Sequence, residues 1–113
     1  MRLAFVTDED SGLKSRISSR FARAKNIVLV DVDDSWNVVK ADTVHNTAAE
    51  SGSGAGVKIV QTLADLKVDV AVGPSFGPNA ALALNEVGIK SVTVPPGITI
   101  EEALNEVKEK ISG

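Results

Sequence analysis

Short strand-like runs alternate with helical patterns in the second half of the chain. The runs VDVAVG (68–73) and IKSVTV (89–94) are apolar and rich in β-branched residues, and a segment with helical signals follows each. The last segment places five apolar residues on one helical face: Ile100, Ala103, Leu104, Val107 and Ile111. Strands that alternate with helices pair in parallel through right-handed crossovers. This half of the chain therefore predicts a parallel sheet covered by helices.

The first half of the chain holds three more strand-like runs, RLAFVT (2–7), NIVLVDV (26–32) and WNVVKADTV (36–44). The connection DDSW between the second and third runs is so short that it predicts an antiparallel hairpin. A polar, Gly-rich loop (45–56) then leads into the first long helix, VKIVQTLADLK. The complete order predicts a three-layer α/β/α domain with a mixed five-stranded sheet and the hairpin at one edge.

Capping residues mark the ends of two of the predicted helices. Pro78 suits the first turn of the second helix, and Gly88 suits its C-terminal stop. Thr99 and Glu102 have the spacing of a capping box at the start of the last helix. A chain of 113 residues is long enough for one ordinary core, so we expect residues 1–113 to form a single domain.

The composition argues against several classes of function. The chain contains no cysteine and one histidine, His45, which removes thiolate catalysis and the usual ligands of structural zinc and iron–sulfur clusters. No run approaches the roughly 18 apolar residues of a membrane span, and a strand follows Met1 directly, so we expect a cytoplasmic location. A net charge of −3, with three Phe, one Trp and no Tyr, argues against nucleic-acid binding.

Five of the twelve basic residues lie in one segment without acidic residues, SGLKSRISSRFARAK (11–25), which we call the basic segment. The rest of the chain carries seven Lys and Arg against fifteen Asp and Glu. One interpretation is a solvated short helix whose cations pair with distant carboxylates. The interpretation that we prefer is an anion-binding segment, because five cations without a local acid repel one another. A short helix would place Arg20 and Arg23 on one side.

Three polar loops, 8–19, 45–56 and 73–79, are predicted to meet at the edge of the sheet where parallel strands end and ligands bind. Two of these loops lead into helix N-termini, whose backbone N–H groups and dipole favour anions. The predicted ligand-binding residues of the loops and the basic segment are Lys14, Arg16, Ser18, Arg20, Phe21, Arg23, Ser53, Gly54, Gly56, Ser75, Phe76, Gly77 and Asn79.

Two features of these loops have simpler explanations. The stretch SGSGAG (51–56) lacks the GxxxxGK[ST] of a P-loop and follows an antiparallel strand, so we expect a flexible loop that caps a helix. Phe76 lies between two Gly-Pro pairs, where it could close over a ligand or fill the edge of the core. The sequence leaves both alternatives for Phe76 open.

An enzymatic alternative is a metal-dependent phosphoesterase that uses Asp8 and Asp31. Turns favour Asp at such positions without any catalysis, however, and no further metal ligand is evident. A Ser–His–Asp hydrolase would need the GxSxG elbow that the chain lacks. We therefore expect no enzymatic activity.

Four segments together carry a resemblance to a known family: ISSRFARA (17–24), HNTAAESGSGAG (45–56), VDVAVGPSFGPNAALAL (68–84) and VPPGITIEEAL (94–104). In order and nearly end to end, they resemble the dinitrogenase iron–molybdenum cofactor biosynthesis family. The family contains NifX-like carriers and small stand-alone archaeal and bacterial members, orange-protein-like domains among them. The resemblance implies a ribonuclease-H-like fold without nuclease activity and a non-enzymatic carrier related to nitrogen fixation.

The resemblance also implies the cargo, a metal–sulfur cluster of the Fe–Mo–S or Mo–Cu–S type or a thiometalate anion, held non-covalently. It further implies cluster-assembly or P-loop ATPase-type protein partners. The family motif S-x-H-F-G-R-A stands here as SSRFARA (18–24), with Arg20 in place of the His and Ala22 in place of the Gly. The motif therefore loses its metal ligand, and His45 is the candidate to replace it.

The remaining expectations concern assembly and an alternative function. We expect the chain to be a monomer or a weak dimer. An alternative function is a protein-interaction module of the same fold that has no bound metal and docks an acidic partner through the basic segment.

Overall fold

The computed structural model describes residues 1–112 and contains a mixed five-stranded sheet. The strands are β1 (Arg2–Thr7), β2 (Asn26–Val32), β3 (Val38–His45), β4 (Val70–Gly73) and β5 (Lys90–Thr93), in the order β3-β2-β1-β4-β5. β4 pairs in parallel with β1 and β5, whereas β2 pairs antiparallel with β1 and β3. The predicted fold class and the hairpin at one edge are confirmed.

Three α-helices cover the two faces of this sheet. They are α1 (Ala55–Asp65) and α2 (Pro78–Glu86) on one face and α3 (Ile100–Ser112) on the other. Side chains alternate along β1, so that Ala4 and Val6 pack toward α1 and α2. Phe5, between them, is buried on the side of α3. No helix in the described chain is long and apolar enough to cross a membrane.

The predicted helix caps are confirmed. The Glu102 N–H donates to Thr99 Oγ1 at 3.2 Å, and the Thr99 N–H donates to Glu102 Oε1 at 3.0 Å. The hydrogen bonds from Thr99 lower the pKa of Glu102. Pro78 occupies the first turn of α2, and Gly88 follows the end of that helix with a φ of 76°.

The start of the third strand was predicted wrongly, and the short helix considered for the basic segment is absent from residues 1–112. β3 begins at Val38 rather than at residue 36, because Trp36 takes a left-handed φ of 64° in the turn and packs against the core beside α3. The basic segment contains no α-helix, and its regular element is the 3₁₀ turn Gly12–Lys14. Its backbone bonds to distant strands and loops instead, as the Ile17 N–H does to the Ile98 carbonyl at 2.8 Å.

The three polar loops leave the sheet at one edge, as predicted. β3 runs parallel to β1 because both are antiparallel to β2, so β1, β3, β4 and β5 all end at this edge. The loops after β1, β3 and β4 therefore meet there, and two of them lead into the N-termini of α1 and α2.

Asp31 lies at the opposite edge of the sheet, where the β1–β2 register places it beside Arg2. Arg2 Nε donates to Asp31 Oδ1 at 2.8 Å, and Nη2 donates to Oδ2 at 3.2 Å. Asp8 follows the other end of β1, about 20 Å away along the strand. The two carboxylates cannot share a metal ion, so the phosphoesterase site proposed from the sequence is wrong.

The ion pair with Arg2 makes stability depend on pH. The Arg2 hydrogen bond and charge hold the pKa of Asp31 below its usual value. A carboxylate with a lowered pKa stabilises the fold above its unfolded-state pKa of about 3.9, and this contribution is lost as the pH falls through the native pKa. We expect Asp31→Asn to lower the free energy of unfolding at neutral pH, and the difference from the parent to shrink below about pH 4.

Urea denaturation at a series of pH values measures this effect. Asp34→Asn is the control, because Asp34 lies in the same hairpin and forms no ion pair within residues 1–112. If the destabilisation by Asp31→Asn stayed constant down to about pH 2, the ion pair between Asp31 and Arg2 would not be the source of the pH-dependent stability.

Candidate functional site

A cavity of about 420 Å³ opens between the N-termini of α1 and α2, at the edge where the polar loops meet. Eight of the predicted ligand-binding residues line it: Arg20, Phe21, Arg23, Gly54, Gly56, Ser75, Gly77 and Asn79. Six further lining residues were not predicted from the sequence: Ser19, Ala22, Ala55, Val57, Pro78 and Ala80. None of these described lining residues is acidic, and the charged ones are Arg20 and Arg23, in a chain whose net charge is −3.

Two helix N-termini without side-chain caps face this cavity. Gly54 caps α1 in a left-handed conformation, with a φ of 73°, and Gly77 caps α2. The first hydrogen bonds at each N-terminus run from Lys58 N–H to Gly54 O and from Ala81 N–H to Gly77 O. The earlier N–H groups have no acceptor within residues 1–112, and they belong to Ala55, Gly56, Val57, Asn79 and Ala80. Both helix dipoles add partial positive charge here.

A glycine allows the two N-termini to approach each other. A Cβ on Gly56 would lie 3.3 Å from the Cβ of Ala80 and 3.5 Å from its nitrogen. A larger side chain at position 56 would therefore push the first turns of α1 and α2 apart. The Gly-rich loop thus matters for packing at this point as well as for backbone conformation.

Arg20 and Arg23 supply the cationic side chains of the cavity. Arg23 is half-buried, and its Nη1 donates to the carbonyl oxygens of Ala49, at 3.2 Å, and Ser51. The exposed guanidinium of Arg20 bonds to no residue of the described chain. Neither arginine pairs with a carboxylate among residues 1–112, so both charges are available to an anion.

Ser18 shapes the turn that carries these arginines. It is 4% exposed; its hydroxyl donates to Asp8 Oδ2 at 2.8 Å and accepts from the Arg20 N–H at 3.2 Å. The other Asp8 oxygen accepts from the Lys25 N–H at 3.0 Å. Ser18 therefore positions the backbone of the basic segment, and it is not among the residues that line the cavity.

Asn46 lies fully buried directly after β3, and its role was not predicted from the sequence. Its Nδ2 donates to the carbonyl oxygens of Ala22, at 3.0 Å, and Ala24, at 2.8 Å, and its Oδ1 accepts from the Ala48 N–H at 3.2 Å. Asn46 therefore joins the turn of Arg23 to the loop after β3. In the sequence, Asn46 is an Asn at the start of a loop, and Asn is so common in turns that this position did not indicate a special role.

Five predicted binding residues lie outside the cavity lining: Lys14, Arg16, Ser18, Ser53 and Phe76. The basic segment crosses the edge of the sheet, so that Leu13 packs on the side of α3 and Phe21 on the side of α1 and α2. Lys14 and Arg16 precede this crossing and lie near α3. Arg16 is also 3.9 Å from a carboxylate oxygen of Glu9. Lys14 and Arg16 therefore lie apart from the cavity that Arg20 and Arg23 line.

Phe76 packs against the ring of Phe21 rather than lining the cavity. The ring centroids are 4.7 Å apart and the planes meet at 62°, an edge-to-face contact at the margin of the core. Gly73 leaves room for this pair, because a Cβ there would lie 3.1 Å from Phe21 Cδ1. Of the two alternatives for Phe76, the structure favours the core-edge role.

His45 lies outside the cavity lining, and its Nε2 is 3.0 Å from Glu50 Oε1. Within residues 1–112 no group of three His, Asp or Glu side chains is placed to bind one metal ion. The donor set therefore does not fit a cluster ligated by side chains. It fits an anion that is held by backbone N–H groups and guanidinium groups.

Comparison with known proteins gives the family. The sequence matches the family model described as "Dinitrogenase iron-molybdenum cofactor" over residues 1–110. No curated protein matches the chain.

Solved structures show the same fold. The apo form of the orange protein from Desulfovibrio gigas has a TM-score of 0.85 and 29% identity, covering 96% of this chain and 88% of that one. The NMR structure of a putative NifB protein from Thermotoga, of the DUF35 family, has a TM-score of 0.74 and 32% identity, with coverages of 96% and 87%. The protein PH0822 shares the fold at 24% identity, with a TM-score of 0.80 and coverages of 97% and 92%. The chain therefore belongs to the dinitrogenase iron–molybdenum cofactor family.

Proposed function

We propose that the chain is a small non-enzymatic carrier that binds an anionic metal–sulfur cluster or thiometalate in the cavity between α1 and α2. One observation carries the proposal: two uncapped helix N-termini and two arginines without carboxylate partners in residues 1–112 line the same cavity. Membership of the iron–molybdenum cofactor family, and the likeness to the orange protein and the putative NifB protein, support a cluster as the anion.

The chemistry of the lining suits a polyanion rich in sulfide. Backbone N–H groups donate hydrogen bonds, and the guanidinium groups of Arg20 and Arg23 neutralise charge. The hydroxyls of Ser19 and Ser75 and the amide of Asn79 are further donors in the lining. The cluster would keep its own sulfide ligands, because the lining contains no thiolate, imidazole or carboxylate. Such a non-covalent hold allows the intact cluster to be released to an acceptor.

Tetrathiomolybdate is the simplest probe for this site. We expect the protein to bind it with an affinity that falls as salt is raised, because screening weakens the attraction of exposed charges. Arg20→Ala removes a cation that has no partner in the described chain, and we expect the affinity to fall about tenfold or more. Isothermal titration calorimetry at two ionic strengths measures both effects.

Lys14→Ala is the matched control, because Lys14 belongs to the same basic segment but does not line the cavity. We expect its affinity to stay close to that of the parent. Failure of the parent to bind tetrathiomolybdate at low salt would overturn the proposal. An equal loss in Lys14→Ala and Arg20→Ala would show general attraction to the basic segment rather than binding in the cavity.

A further inference from the structure

β3 is an edge strand whose outer backbone groups have no partner in the described chain. Its inner side pairs with β2, and no residue among 1–112 bonds to the backbone on its outer side. The strand is eight residues long, contains neither Gly nor Pro, and is exposed over most of its length. Proteins usually protect such an edge with Pro, a short strand, a bulge or unpaired charges. β3 has one of these protective features, a bulge at Val39. Its charges, Lys40 and Asp42, are of opposite sign and so do not repel a second strand.

The charged side chains of β3 are complementary to themselves. Lys40 Nζ lies 3.4 Å from Asp42 Oδ2, and the two side chains are 64% and 54% exposed on the same face of the strand. When two copies of β3 pair antiparallel about Ala41, each Lys40 stands opposite an Asp42 of the other copy. Directly opposite side chains of opposite charge stabilise an antiparallel pair.

The same pairing extends a row of alternating charges that already crosses the sheet. Arg2 is opposite Asp31 in the β1–β2 register, and Asp31 is opposite Lys40 in the β2–β3 register. These positions lie on one face, and their charges run positive, negative, positive. An Asp42 from a second copy would add the next negative charge.

Neighbouring registers are unfavourable. Pairing about Lys40 would place two lysines opposite each other, and pairing about Asp42 would place two aspartates opposite each other. The bulge at Val39 leaves Lys40–His45 as the regular part of the strand. The central pairs of the register about Ala41 fall inside this regular part.

We propose that β3 forms the interface of a homodimer in which two copies pair antiparallel about Ala41 and join their sheets. The two-fold axis is perpendicular to the sheet, so that the α1 and α2 layers of both copies lie on the same side. An interface one strand wide is small, below roughly 1,200 Å², so the dimer dissociates on dilution. No β3 residue lines the cavity, and the inference is therefore independent of the proposed function.

Analytical ultracentrifugation of the full chain over a concentration series tests the interface. We expect a monomer–dimer equilibrium for the parent. Lys40→Glu places acidic residues opposite each other at both central pairs, and Asp42→Lys places basic residues there. Each single variant should dimerise roughly tenfold more weakly than the parent. Circular dichroism of each variant checks that the fold is intact.

Two combinations should restore the dimer. One is the double variant Lys40→Glu/Asp42→Lys, which exchanges the charges within each chain. The other is an equimolar mixture of the two single variants, which should pair as a heterodimer. Lys90→Glu is the control, since it makes the same charge change on the opposite edge strand and should leave dimerisation unchanged.

Three outcomes would overturn the proposal. The first is a parent that stays monomeric up to about 1 mM. The second is a dimer that neither single variant weakens, and the third is a weakened dimer that neither the charge exchange nor the mixture restores.

Discussion

Phe21→Ala is expected to lower the free energy of unfolding by about 3–5 kcal/mol. The side chain is 5% exposed and belongs to the core between the sheet, α1 and α2. Its ring packs against Phe76 and fills the space that Gly73 leaves open, 3.1 Å from where a Cβ would stand. Truncation would leave a void between the basic segment and the core, which urea denaturation followed by circular dichroism would detect.

The same substitution should weaken tetrathiomolybdate binding, because the Phe21 ring anchors the turn that carries Arg20 and Arg23. Phe76→Ala is the matched control: it removes the same ring contact from the other side. The Phe76 ring is half-buried, so we expect Phe76→Ala to lower the free energy of unfolding by less than Phe21→Ala does. A loss from Phe76→Ala as large as that from Phe21→Ala would contradict the role of Phe21 as the anchor.

Asn46→Ala is expected to lower the free energy of unfolding by about 2–4 kcal/mol. The change removes three hydrogen bonds and leaves the carbonyls of Ala22 and Ala24 and the N–H of Ala48 without their partner. Unsatisfied buried polar groups are costly because water cannot replace the lost bonds. Urea denaturation measures the loss, and faster hydrogen exchange at the Ala48 amide would locate it.

Asn37→Ala provides the comparison for Asn46→Ala. Its side-chain amide donates to Asp33 at 3.3 Å in an exposed turn, where water can take over the bond. We expect its effect to be below about 0.5 kcal/mol. If Asn46→Ala cost no more than Asn37→Ala, the proposed connection between the basic segment and the loop after β3 would be wrong.

The elements of the fold could be predicted because their signals are local. β-branched apolar runs define β1, β2 and β4, and the Thr99–Glu102 capping box marks the start of α3. Trp36 shows the limit of such signals. It continues the strand pattern, yet the hairpin turns through it, and its ring packs against a core that includes α3.

The position of the candidate site was also predictable in outline. Strand order and direction bring the three loops to one edge, and helices that begin after Gly-rich loops expose their N–H groups there. Which cations of the basic segment line the cavity was not predictable. Arg16 and Arg20 are four residues apart, yet only the second lines the cavity, because the segment between them crosses the edge of the sheet.

The sequence by itself determined the order of strands and helices, the polar edge and the excess of positive charge near it, because periodicity, caps and composition act over a few residues. Only the tertiary structure decided which cations share the cavity, that Phe76 belongs to the core margin, and that Asn46 holds the turn of Arg23. These outcomes depend on contacts between residues far apart in the chain. The Ile17–Ile98 backbone bond and the Asn46–Ala22 bond are two of them, and no local pattern specifies such pairs.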